Sequence, residues 1–303
     1  MEVIGSDYIP RFDEWYSGDN RRLFSILSVY LNLSPDYVTP EMINEMTGGD
    51  RRTSAFALAH LSAAACGLDV YGNPSDRRFF NRRFLPCFRE EPISDYASDS
   101  YFGTIEFPSG EQGRWSFGKK VLRPYECFVC GDPDVRRLPG GGFEVSPRIG
   151  FFSEEYVFPA VSENGREWMT LMPNETVTTL PAVGASRGRV LTFGLGLGYF
   201  AFHASEKDDV GSVTVVERSD DAIKIFRDYL LPQFPHKEKI DIVKADAFEF
   251  AERGMSGYDT VFCDIWHDPS DGVGLYLRMK EYEKKNPGPD YHYWIEKTLK
   301  LYI

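Results

Sequence analysis

The sequence predicts an α/β fold, a parallel sheet made by alternating strands and helices, and three observations predict it. From Arg187 onward, runs with strand character at 190–193, 212–217, 240–244 and 258–264 alternate with helical patterns that begin near Tyr199, Asp220 and Ala247. Such a βαβαβαβ series closes into a parallel sheet through right-handed crossovers. The first of these strands also runs straight into glycines at alternate positions, Gly194, Gly196 and Gly198. Finally, the next three strands each end on an acid: Glu217, Asp246 and Asp264.

The rest of the chain divides by character. Residues 1–95 read as a helical N-terminal region, 96–185 as a β-rich region and 186–303 as the ligand-binding domain. In the first region, residues 21–33 carry apolar side chains at helical spacing. Thr39 followed by Pro40 and Glu41 is a helix start, and Gly48-Gly49 is its stop. Asp50 then opens a helix over 51–66 that ends at Gly67. In the second region, short runs rich in aromatic and β-branched residues (101–107, 114–117, 125–129, 143–145 and 155–158) alternate with Pro- and Gly-rich turns. After the fourth strand of the last domain comes a polar stretch, 278–290, and then a predicted helix over 291–301. On that reading no residues remain for further strands.

Composition sets bounds on function. The 303 residues, 42% hydrophobic and 15% aromatic, are enough for a sizeable core. A net charge of −12 argues against general nucleic-acid binding, although Arg77, Arg78, Arg82 and Arg83 form a local basic run. Five cysteines do not form a secreted disulfide framework, and Cys127-x-x-Cys130 lacks the second pair that a zinc site needs. Asp7, Arg11, Asp13 and Glu14 interrupt any leader-like start, and the longest apolar stretch, 54–68, is too short to span a bilayer. The expected setting is cytoplasmic, with no membrane partner; a homodimer is compatible with all of this.

The glycine spacing narrows the ligand. A glycine turn between strand and helix lets a ligand approach the backbone, beside the unsatisfied N–H groups of the helix start. Dinucleotide folds use G-x-G-x-x-G, and here Tyr199 stands where the third glycine would be, which disfavours an NAD-dependent oxidoreductase. Glu217 is placed to accept hydrogen bonds from both hydroxyls of an adenosyl ribose. Asp246, followed by Ala247, is placed to accept from an adenine amino group.

Over residues 166–272 the chain resembles the spermidine synthase-like branch of the class I S-adenosylmethionine-dependent methyltransferase superfamily. The resemblance rests on Val216-Glu217, Ala222-Ile223 and Tyr229-Leu230-Leu231-Pro232 after strand two. It also rests on Asp264-Ile265-Trp266-His267-Asp268-Pro269-Ser270-Asp271-Gly272, which is similar to a D-x-x-D-P-x-G loop with two insertions. Trp168 to Glu175 occupies the place of that branch's substrate-side segment, and the preceding β-rich region is similar to its N-terminal β-domain. The resemblance implies a Rossmann-like class I methyltransferase sheet, shortened after strand four or completed from the N-terminal half. It implies S-adenosylmethionine as cofactor, held by Gly194, Gly196, Gly198, Tyr199, Glu217, Arg218, Asp246, Ala247, Asp264 and Trp266. Leu197 replaces the acid that polyamine synthases carry in the glycine turn, and Thr192 stands where many methyltransferases have Asp. Methyl transfer to a small molecule or a protein side chain is therefore expected ahead of aminopropyl transfer, with a non-catalytic nucleotide-binding protein as the third reading. Asp264 is the candidate base, with His267 and Asp268 next. Asp264, His267, Asp268 and Asp271 can also be read as metal ligands, but no metal is expected.

Overall fold

The computed structural model describes residues 9–33, 37–112 and 114–303; Asp7 lies outside them. The chain divides into two compact units, one made of Met1–Ser94, Val121–Val157 and Ile303, the other of Asp95–Lys120 and Phe158–Tyr302. The expected cut at 185/186 falls inside the second unit, whereas that at 95/96 lies one residue from a unit boundary.

The first unit is mainly helical. Gly18–Leu33, Pro40–Thr47 and Ser54–Ala65 pack Leu23, Leu27, Ile43 and Leu58 into a core with Phe80, Phe84 and Phe88. The Thr39 hydroxyl accepts the Met42 N–H, and Gly48 ends the helix in the left-handed region. Arg83, a member of the basic run, is buried: its guanidinium donates to Asn20 Oδ1 at 2.8 Å and to the Val145 carbonyl at 3.1 Å. It fixes structure and offers nothing to a surface patch. Cys127 lies against the Tyr30 hydroxyl, its thiol pushed up to about 12 by burial, and the described cysteines form no disulfide. No helix among the described residues is long and apolar enough to cross a membrane.

The second unit holds the parallel sheet. In chain order its elements are β1 (Gly188–Phe193), α1 (Tyr199–Glu206), β2 (Val210–Glu217), α2 (Asp220–Ile225), β3 (Ile240–Lys244), α3 (Ala247–Glu252), β4 (Thr260–Cys263), α4 (Pro269–Lys285) and β5 (Asp290–Tyr293). The strands pair in the order β3-β2-β1-β4-β5, all parallel. Val190, Leu191, Phe193, Val213, Val215, Val261 and Phe262 are all buried, the apolar continuity expected of a sheet covered on both faces. Alongside lies a four-stranded sheet of Gly110–Gln112, Trp115–Leu122, Tyr156–Glu163 and Arg166–Thr170.

Three expectations are corrected. A fifth strand exists where a helix over 291–301 was expected: Asp290–Tyr293 pairs with β4, and only Glu296–Lys300 is helical. The sheet is thus not cut off after strand four, and its strands all come from residues 188–293. The polar stretch 278–290 is largely the second half of α4, a helix that the sequence reading did not place, which is capped by Asp268 and starts at Pro269. The expected strand over 101–107 is instead a short helix, Ser100–Thr104, because the Asp99 carboxylate accepts the Tyr101 N–H at 2.8 Å and starts a turn.

Candidate functional site

A cavity of about 650 Å³ opens at the carboxyl ends of the parallel strands. In open α/β sheets that is where ligands bind. The register brings the strand ends level: Phe193 lies opposite Val216 and Cys263, Glu217 opposite Lys244, and Cys263 opposite Tyr293. Each strand therefore delivers its next residues to one rim. β1 gives Gly194 and Gly196, β2 gives Glu217 and Arg218, and β3 gives Asp246 and Ala247. β4 gives Asp264 to His267, and β5 gives Trp294.

Backbone bonds and one carboxylate hold the glycine turn. Gly194 N–H donates to the Val216 carbonyl at 3.0 Å, and Gly198 N–H to the Leu195 carbonyl at 2.9 Å. Glu217 accepts from Leu195 N–H at 3.2 Å with one oxygen and from Ser219 N–H at 2.7 Å with the other. Gly196 has φ +52°, and a Cβ there would meet nothing within 4 Å. Asp246 caps α3 through Oδ1 alone, accepting from Phe248 N–H at 2.9 Å and Glu249 N–H at 3.2 Å.

The opposite side of the cavity is aromatic and acidic. Trp115 and Trp168 lie 4.2 Å apart between ring centres, with Met169 and Leu171 beside them. Arg114, over the Trp115 ring, is paired with Glu163 and Asp221. Glu175, near the start of the helix Pro173–Ala185, accepts the Thr170 hydroxyl at 3.0 Å. Burial pushes its carboxyl up to about 8, against the Thr170 bond and with help from the negative charge of Asp264. Burial likewise pushes Asp264 up to about 7, although His267 draws it down. No lysine or arginine among the described residues offsets either charge. Trp294 closes this side, its indole N–H donating to the Thr178 hydroxyl at 2.7 Å.

No family model matches the chain, and no curated protein matches it. Solved structures similar to part of it include a conserved hypothetical protein from Streptococcus pyogenes, at 20% identity and a TM-score of 0.27 over 32% of this chain and 61% of that one. Precorrin 8W decarboxylase from Methanobacterium thermoautotrophicum is 15% identical, with a TM-score of 0.31 over 39% and 60% of the two chains. A spermidine synthase in complex with the transition-state analogue AdoDATO is 18% identical, with a TM-score of 0.29 over 44% and 43%. The chain thus spans less than two thirds of each.

Of the residues singled out in the sequence, Gly194, Gly196, Tyr199, Glu217, Arg218, Asp246, Ala247, Asp264, Trp266 and His267 line the cavity. Two do not. Gly198 starts α1 against the Phe226 ring, and Asp268 caps α4, accepting from Ser270 N–H at 2.6 Å. His267 is exposed and held at the mouth by Asp271, 3.0 Å from its Nδ1. Tyr199 lines the cavity but donates its hydroxyl to Asp99 at 2.6 Å. Trp266 is buried against Gly272 and lies parallel to the Tyr293 ring. Among the described residues no group of three or more His, Cys, Asp or Glu could hold a metal ion. Sequence reasoning gave no role to Trp115 or Trp294, which reach the cavity from outside the strand-helix series and from the end of the unforeseen fifth strand, and it placed Glu175 only as the end of the substrate-side segment that the resemblance implies.

Proposed function

We propose that this chain is an S-adenosylmethionine-dependent transferase, with methyl transfer to a small amine as the preferred reaction. The observation that carries this reading is the level rim of Gly196, Glu217, Asp246 and Asp264 at successive strand ends around one cavity. The open space beside Gly196 leaves room for a ligand against the backbone. Glu217 would hold the ribose hydroxyls, and the second oxygen of Asp246 would accept from the adenine amino group. When bound, the sulfonium supplies an electrophilic carbon.

The acceptor side supports an amine. Two half-buried carboxyls that no lysine or arginine among the described residues offsets are costly when charged, and an entering ammonium offsets that cost. The Trp115 and Trp168 faces suit the same charge. Near neutral pH Glu175 holds its proton, whereas Asp264 titrates at the operating pH, as a general base should. The Asp264 carboxylate would take the proton of the ammonium, so that the freed nitrogen lone pair could form the bond to the methyl carbon as the carbon–sulfur bond breaks and its electron pair stays on sulfur, leaving a neutral thioether. Aminopropyl transfer would use the same residues and differ in the carbon attacked; the uncompensated carboxyls keep it as the second reading.

Calorimetry or thermal shift with S-adenosylmethionine, decarboxylated S-adenosylmethionine, methylthioadenosine and NAD tests this, since a ligand that binds only the native state raises its stability. Stabilisation by the adenosyl sulfonium compounds and not by NAD is expected. No response to any adenosyl compound sinks the reading, and binding without turnover over an amine panel leaves a non-catalytic binding protein.

A further inference from the structure

A short segment outside the strand-helix series grips the glycine turn. Asp99 caps the helix Ser100–Thr104 and holds three groups at once: the Tyr101 N–H at 2.8 Å, the Tyr199 hydroxyl at 2.6 Å and His203 Nε2 at 3.0 Å. Tyr101, fully buried, donates its hydroxyl to the carbonyl oxygen of Leu197, inside the turn. The other ring nitrogen of His203 lies 3.3 Å from Glu206, which also accepts the Ser100 hydroxyl at 2.9 Å. Leu197 and Tyr199 flank Gly198, so the segment holds the turn on both sides of the point where it becomes α1. Burial works against a charge on Asp99, yet the bonds from His203 and Tyr199 keep its carboxyl below the usual range. Burial raises the Tyr101 phenol, which therefore stays a donor.

Nothing in the ligand chemistry requires this contact. Backbone bonds at Gly194 and Gly198, with Glu217 at Leu195, already shape the first half of the turn, but the Leu197 carbonyl and the Tyr199 ring receive their side-chain bonds from Asp99 and Tyr101. A turn rich in glycine loses much backbone freedom when it is fixed, and fixing it before a ligand arrives removes that cost from binding. We propose that Asp99 and Tyr101 are positioning residues that lock the 195–199 turn in its ligand-binding shape. The ligand part of this proposal rests on the cofactor reading above; the locking part does not.

The test pairs affinity with hydrogen exchange. Kd for S-adenosylhomocysteine and exchange of the 195–199 amides are measured for the full-length chain and for Tyr101→Phe, Asp99→Ala and Asp99→Asn. Loss of the hydroxyl bond to a buried carbonyl should raise Kd about tenfold in Tyr101→Phe. Exchange in 195–199 should speed up in the same variant, while exchange in β1 and β4 stays as in the parent. Asp99→Asn keeps an oxygen for the Tyr101 N–H and should recover most of what Asp99→Ala loses, a rescue that general destabilisation would not give. Unchanged exchange in 195–199 in a folded Tyr101→Phe protein overturns the proposal, as does equal loss in the Asn and Ala variants at position 99. If Tyr101→Phe does not fold, the two Asp99 variants decide alone. If the parent binds no adenosyl compound, the cofactor reading fails, and exchange still decides whether the turn is locked.

Discussion

The backbone carbonyl oxygen of Asp264 fills the space beside Gly194, so that a Cβ on Gly194 would stand 1.9 Å from it. Asp264 N–H in turn donates to the Phe193 carbonyl at 2.9 Å. The candidate base and the start of the glycine turn are thereby fixed to each other through main chain. Gly194 is also at φ +93°, which a side chain resists. Gly194→Ala should cost about 2–4 kcal/mol of stability, from strain and displaced backbone together. Gly196→Ala faces open space and should cost only about 1 kcal/mol, yet reduce ligand binding sharply. Denaturant unfolding and calorimetry on the two variants separate these effects; equal stability losses would show that the turn is not built as described.

Glu175 should make stability fall as pH rises. Its carboxyl is raised from 4.5 to about 8 in the folded chain, so between those values the folded state keeps a proton that the unfolded state has lost. The stabilising contribution is complete below about 4.5 and is lost as pH approaches 8. Glu175→Gln should flatten that slope and gain about 1–3 kcal/mol at pH 8, after discounting for the open cavity. Urea unfolding from pH 5 to 8.5 checks it, and a parallel pair of curves would contradict it.

Asp264→Asn should lower turnover by about 10²–10⁴-fold and leave cofactor affinity measurable. Because burial raises Asp264 to about 7 and the base works as carboxylate, kcat should climb with pH and level off above about 7. A profile flat from pH 5.5 to 8.5 would remove Asp264 from the role of base.

Glu217→Ala should weaken S-adenosylhomocysteine binding by about 1.5–3 kcal/mol, the scale of hydrogen bonds to a charged group. The loss includes the carboxylate's hold on Leu195 and Ser219 as well as its contact with a ribose. Adenine alone should lose less affinity than adenosine in this variant, and equal losses would refute the ribose contact.

The parallel sheet was legible because its signals are local. β1 to β4 announce themselves by apolar runs, and two of the helices between them by starts near Asp220 and Ala247, where the structure shows caps at Ser219 and Asp246. The acids at the strand ends were legible for the same reason. β5 was not, since Tyr291, His292 and Tyr293 form a strand only by pairing with Val261 to Cys263, and YHYWIEKTLKL taken alone has a helical period. Tyr101 was misread in the opposite sense: an aromatic run looks like strand until the Asp99 cap is recognised. Trp115 and Trp294 could not be found from spacing, because their meeting is set by long-range packing, and Glu175 came into view only as the end of the substrate-side segment that the resemblance implied.

Ninety-six positions separate Tyr101 from the Leu197 carbonyl it holds. The parallel sheet is for that reason not a portable module. A fragment cut at Arg187 would carry every strand of this sheet and every acid of the rim, yet leave behind the Tyr101 phenol and the Asp99 carboxylate. Chimaeras or minimal fragments meant to preserve this site should include Asp95–Lys120, and libraries that vary the glycine turn should vary Asp99 and Tyr101 along with it.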